Sequence, residues 1–144
     1  MKISTKGKYA LEIAVDLALH SDRSRPESLK NIAGRRGLSE KYLERIVKLL
    51  RDAGVVCVVR GARGGYYLPR PPGEISALEI LAAAEGPLAP VDCLISEPKC
   101  GMECGVCPTR GVWEEMWKII KETAGNLTVE DLARAELLRS VRGI

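Results

Sequence analysis

Fifteen residues, Ser39 to Ala53, constrain this chain more than any other stretch. Read as a helix, they put Leu43, Ile46, Val47 and Leu50 on one face at i, i+3, i+4, i+7. Lys41, Arg45 and Lys48 fall on the opposite face. Ser39 suits the N-cap, and Gly54 suits the position just past the end. Such a helix needs a core on one side and presents cations on the other.

Its neighbours say what it belongs to. Apolar residues recur at helical spacing from Thr5 to His20 (Ala10, Ile13, Ala14, Leu17, Ala18), and Asp22–Pro26 breaks the pattern. Ser28 can cap a short second helix that buries Leu29, Ile32 and Ala33, with a tight basic turn expected over 34–37. Beyond Gly54, the β-branched run Val55–Val59 predicts a strand. Residues 60–65 predict a turn, and Tyr66–Leu68 a returning strand ended by Pro69, Pro71 and Pro72. A short helix, a turn, a two-faced basic helix and a Gly/Arg-tipped hairpin follow the order of a winged helix-turn-helix.

The remainder reads as mainly helical. Ser76 and Glu79 form a capping-box pattern for a helix ending near Gly86. A cysteine-bearing loop follows to about Pro108. A helix is expected from Thr109 to Ala124, stopped by Gly125, with the stripe Trp113, Met116, Trp117, Ile120. Thr128 and Asp131 resemble a second capping box, opening a helix to about Val141. The fold class expected is mainly α with a small β-hairpin wing, divided into 1–72 and 73–144. Without any Phe, the core must be Leu, Ile, Val and Ala. No apolar run reaches membrane-spanning length. The polar, basic start has no apolar stretch after it, so a secretory leader is not expected and the cytoplasm is the default compartment.

Charge is unevenly shared. Residues 1–70 carry 15 Lys/Arg against 7 Asp/Glu, whereas residues 71–144 carry 7 against 12. A basic half favours a polyanionic partner, since phosphate neutralisation supplies most non-specific DNA affinity. A helix in a major groove needs donors in its amino-terminal half, where Ser39, Lys41, Tyr42 and Arg45 lie. Arg60 and Arg63 sit at the tip of the expected wing, with Gly61 between them. Arginine suits narrow minor grooves, and glycine lets backbone approach phosphate.

Four of the five cysteines, Cys93, Cys100, Cys104 and Cys107, fall within fifteen residues. In a reducing compartment such a cluster reads as a metal or redox site rather than a disulfide framework. Cysteine ligates iron–sulfur clusters and zinc alike, and neighbouring thiols can also oxidise reversibly. Cys100, Cys104 and Cys107 have the spacing of the radical S-adenosylmethionine motif, but that chemistry uses a large α/β barrel that 144 residues cannot build. An enzyme is not expected. Cys57 reads as a small buried apolar residue, and His20, at a helix end, as a capping or surface group.

Three blocks resemble the iron–sulfur-cluster transcriptional regulators of the IscR and NsrR type: Met1–Ala10, Leu38–Glu44 and Val59–Tyr66. The resemblance extends to about residue 140. It implies a homodimer on double-stranded DNA at a pseudo-palindromic operator, often as a repressor. It places Lys8 and Tyr9 near phosphates, the helix after Ser39 in the major groove and Arg60 in the minor groove. The helix starting near Thr109 would dimerise. In that family three loop cysteines hold a [2Fe-2S] or [4Fe-4S] cluster, matching Cys93, Cys100 and Cys107 with two gaps of six residues. The histidine of the IscR branch is replaced by Arg110, and the amino-terminal aspartate of the NsrR branch falls in a stretch that offers Lys8. Cys104 is the leading substitute for the fourth ligand, ahead of Asp92, Glu103 or an exogenous thiol. The expected function is therefore a DNA-binding regulator sensing iron, redox or nitric oxide status. Zinc, a metal-free thiol switch, and regulation of a partner enzyme remain open alternatives.

Overall fold

The computed structural model describes residues 2–97 and 99–141. Six α-helices and one two-stranded sheet run in the order α1 (Thr5–His20), α2 (Leu29–Arg36), α3 (Glu40–Asp52), β1 (Cys57–Val59), β2 (Gly65–Tyr67), α4 (Ala77–Glu85), α5 (Arg110–Asn126) and α6 (Val129–Val141). Short 3-10 turns lie at Pro72–Glu74, Asp92–Leu94 and Cys104–Val106. The first three helices with the hairpin form a winged helix-turn-helix. None of the described helices is long and apolar enough to cross a membrane.

The expected periodicities become the core. Ala10, Ile13, Ala14 and Leu17 of α1 meet Ile32 and Ala33 of α2 and Leu43, Ile46, Val47 and Leu50 of α3. This cluster continues past Pro72 into Ile75, Ile80, Ala84 and Val129. Fully burying a side chain of this size contributes about 1.5–3 kcal/mol. α1 therefore serves as a common floor, with α4 and α6 packed on it as well as α3.

Local chemistry sets the ends of the elements. Ser28 and Ser39 accept hydrogen bonds from the Asn31 and Tyr42 amides, each at 3.2 Å. Thr128 and Asp131 close a complete capping box, with reciprocal bonds of 3.0 and 3.1 Å. The box at Ser76 is half closed. Its hydroxyl accepts from the Glu79 amide, but the Glu79 carboxylate pairs with the Arg70 guanidinium instead.

Four expectations shift. Residues 34–36 are the last turn of α2, and only Gly37 is left-handed, at φ 66°. The turn stays helical because Arg35 and Arg36 are held from beneath by Asp16. The first strand is shorter than Val55–Val59, since the Val55 amide still bonds the Leu50 carbonyl of α3 at 3.0 Å. Val55 and Val56 are buried as a link, and Cys57, the first paired residue, is only half-buried. Gly125 does not stop its helix, because α5 runs on to Asn126. The end of α5 is set instead by Leu127 and Val129 bonding Ala77 and Ile75 at 2.7 and 2.9 Å.

The wing is built by close backbone approach. Cys57, Val58 and Val59 pair antiparallel with Tyr67, Tyr66 and Gly65. On its other edge Tyr66 exchanges two backbone bonds with Glu27, at 2.9 and 2.7 Å. A Cβ on Gly65 would stand 2.4 Å from the Glu27 carbonyl oxygen. The hairpin is thereby tied to the segment between α1 and α2.

Candidate nucleic-acid interface and cysteine site

The amino ends of α1 and α3 come together through two tyrosines. Tyr9 and Tyr42 meet edge to face with ring centroids 6.0 Å apart. Lys8 places its ammonium 5.7 Å from the centre of the Tyr9 ring. Tyr9 thus meets Tyr42, although some thirty residues of sequence separate them. Ser39 itself is the N-cap of α3.

Farther along α3, Lys41, Arg45, Lys48 and Arg51 line a cleft of about 560 Å³ with Glu44, Asp52 and Tyr66. Tyr66 connects this cleft to the wing. Arg60, Gly61 and Arg63 are exposed at the hairpin tip, with Gly61 at φ 117°. Among the described residues, no ion pair involves Lys8, Lys41, Arg45, Lys48, Arg60 or Arg63. Their charge is available to an external anion.

Arg35 and Arg36 of the basic half are committed inside the fold. Asp16 of α1 is completely buried. It accepts from Arg35 Nε and Nη2 at 2.9 and 2.7 Å, and from Arg36 Nε at 3.1 Å. Arg35 continues to Glu27 at 2.6 Å, and Arg36 grips Glu136 of α6 at 2.6 and 3.2 Å. The Asp16 carboxylate raises the Arg35 guanidinium further above its already high value. The charge count of residues 1–70 includes both arginines without distinguishing them from exposed cations. The sequence signal missed was an aspartate on the apolar face of α1, a position that demands a cationic partner.

Cys93, Cys100, Cys104 and Cys107 all line one largely apolar cavity of about 360 Å³, with Val91, Met102, Pro108 and Trp113. All four thiols are free. Among the described residues, no three of His, Cys, Asp and Glu converge tightly enough to hold a single ion. Arg110 reaches into the same cavity. Its Nη1 donates to Cys104 Sγ at 3.2 Å and to the Cys93 carbonyl at 3.4 Å, while Nε pairs with Glu114 at 2.8 Å. The Thr109 hydroxyl and amide, with Arg110 beside them, pull the Cys107 thiol below its ordinary value. Thiols on one apolar cavity beside a fixed cation are a donor set that fits an anionic, thiolate-ligated group. Arg110 cannot ligate, but it carries the positive charge such a group attracts. The other candidates, Asp92 and Glu103, are exposed outside this lining.

α5 leaves this site with none of its residues buried. Val112 and Ile119 are 54% and 53% exposed, and Met116 is exposed too, while Trp113, Trp117 and Ile120 are half-buried.

Comparison with known proteins agrees with this architecture. A family model described as "Rrf2: Iron-dependent Transcriptional regulator" matches residues 3–135. The HTH-type transcriptional regulator CymR of Bacillus subtilis is 43% identical over 133 residues, covering 92% of this chain and 90% of that protein. The solved structure of CymR, the global cysteine regulator of B. subtilis, superposes with a TM-score of 0.76 at 41% identity, covering 94% of this chain and 98% of the other. The IscR of T. potens gives a TM-score of 0.75 at 38% identity, covering 94% and 88%.

Proposed function

The chain belongs to the Rrf2 family of transcriptional regulators, and from that premise we propose that it binds operator DNA as a homodimer and senses through its cysteine loop. The observation that carries the DNA half is a set of cations that make no ion pair among the described residues, on three elements: Lys8 on α1, Lys41 and Arg45 on α3, and Arg60 and Arg63 on the wing. In this reading α3 enters the major groove, with Ser39, Tyr42, Lys41 and Arg45 towards bases and phosphates. Lys8 and Tyr9 hold phosphates, and Arg60, Gly61 and Arg63 reach the minor groove. Two copies joined along α5 would cover Val112, Met116 and Ile119, and would set two reading heads on a pseudo-palindromic site. The cytoplasm is the compartment this reading implies.

For the sensor half, Cys93, Cys100, Cys104 and Cys107 would hold an iron–sulfur cluster, which supplies sensitivity to iron, oxygen or nitric oxide when bound. The chain's own part is to provide thiolates, an apolar wall at Trp113 and the compensating charge of Arg110. Regulation then requires only that the two DNA-binding states differ in affinity for whatever the loop holds. The likeness to a global cysteine regulator favours a second reading. Here two loop thiols give up two protons and two electrons to an oxidant and form a disulfide, with no metal.

One preparation tests both. Anaerobic purification with an absorption spectrum, iron, sulfide and zinc analysis, and thiol counting separates them. A coloured protein with iron and sulfide supports the cluster. A colourless protein whose thiols pair reversibly supports the switch, and one bound zinc overturns both. Salt-dependent gel shifts on duplexes selected from random sequence test the DNA half, and binding that ignores salt would refute it.

A further inference from the structure

Glu85 is the last residue of α4, and it does something unusual for its position. Its Oε1 accepts the backbone amides of Ser4 and Gly7, both at 2.9 Å, as well as the Ser4 hydroxyl. The first turn of any α-helix leaves amides without intrahelical partners, and a side chain of the local sequence usually meets them. At α1 the Ser4 hydroxyl caps nothing. The cap comes instead from a carboxylate roughly eighty residues away in sequence.

Gly7 gives independent support. It is buried inside α1 with ordinary helical backbone, where glycine is unfavourable. A Cβ there would stand 2.7 Å from Glu85 Oε1 and 2.8 Å from Ile3 Cγ2. The missing side chain is the space Glu85 occupies. Lys8 and Tyr9, the phosphate-facing residues of the reading above, come immediately after.

The other end of this contact is the sensor. Gly86 turns the chain out of α4, and the loop with its four cysteines follows. The helix that leaves the loop, α5, packs back on α4. Both ends of the cysteine loop therefore bear on the helix that carries Glu85.

We propose that Glu85 is the positioning residue through which the state of the cysteine loop reaches the DNA-facing end of α1. The inference rests on the sensor and DNA reading above and names the connection between its two halves. A loop that rearranges shifts the carboxyl end of α4. The Glu85 carboxylate moves with it, and the first turn of α1 is either held or released, with Lys8 and Tyr9 on it.

Amide hydrogen exchange on the full chain tests this, comparing the native protein with Glu85→Gln, Glu85→Ala and Gly7→Ala. Each is measured before and after anaerobic addition of ferric iron, sulfide and a thiol reductant. If no iron is taken up, diamide oxidation of the thiols replaces that step. In the native protein, protection over residues 4–9 changes with loop state. In Glu85→Ala, exchange at Ser4 and Gly7 is about tenfold faster at the outset, and the response to loop state vanishes at unchanged iron or disulfide content. Glu85→Gln keeps an accepting oxygen and restores part of the response, whereas Gly7→Ala, which pushes the carboxylate away, repeats the alanine result. A native protein whose residues 4–9 ignore the loop overturns the proposal. So does a Glu85→Ala protein that keeps the response, or one that no longer takes up iron or forms the disulfide. Gel shifts run in parallel keep the two readings apart: failure to select any duplex removes the DNA reading, while the exchange data still decide the link.

Discussion

Asp16→Ala is expected to be the most destabilising single substitution outside the apolar core. The native carboxylate is completely buried and accepts three N–H bonds, at 2.7, 2.9 and 3.1 Å. Removing one partner of a buried ion pair costs about 3–5 kcal/mol, because the other charge is left behind. Here the orphaned cations keep second partners, Glu27 for Arg35 and Glu136 for Arg36. Arg35 also remains one-third exposed. Both facts place the loss near the lower bound, about 3 kcal/mol. For a domain of this size that lowers Tm by roughly 10 °C. Glu136→Ala supplies the contrast. Its carboxylate is 36% exposed, so the same kind of deletion should cost about 1 kcal/mol or less. Urea unfolding followed by circular dichroism, at fixed protein concentration and redox state, measures both. The double variant then reports the coupling carried by Arg36. A loss for Asp16→Ala below about 1 kcal/mol would refute the argument, since it would mean the carboxylate is not sustaining the two guanidinium groups.

Four further outcomes are expected. Arg60→Ala should weaken operator binding and reduce the slope of log K against log salt by about one, measured by anisotropy titration; an unchanged slope would count against a wing-to-DNA contact. Cys107→Ser should abolish any visible chromophore, and an intact spectrum in Cys104→Ser would remove Cys104 from the ligand set. Gly65→Ala should break the two bonds between Tyr66 and Glu27, costing about 2 kcal/mol in urea unfolding and loosening the wing. Acid should release the α1 cap: Ser4, Gly7 and Lys6 hold Glu85 below the ordinary glutamate value of 4.5. Its contribution to stability is therefore full above that pH and is lost as pH falls through the lower, folded value. Glu85→Gln should flatten this part of the acid-unfolding curve.

Much of this molecule was legible from one dimension. In the reading half α2 and α3 announced themselves by period and cap and α1 by period alone, because an amphipathic helix needs only local residues to define its faces. Ser28, Ser39 and Thr128 cap where a short polar side chain precedes an apolar run. The cysteine loop was equally plain, since four thiols within fifteen residues have few uses. The order of elements then sufficed for the winged helix-turn-helix.

Tertiary structure decided which charges are free and which ends are joined. Lys41 and Arg36 are indistinguishable cations in sequence, yet one faces solvent and the other spans Asp16 and Glu136. No local pattern could show that, because the partners lie 20 and 100 residues away. The same holds for Gly125, which the sequence marks as a stop but which α5 passes through, and for Glu85, whose role exists only where α4 meets α1. Period and capping arise within a turn or two of chain. Ion pairing and cross-element capping depend on which surfaces the core brings face to face, and here one core cluster joins residues of α1, α2, α3, α4 and α6.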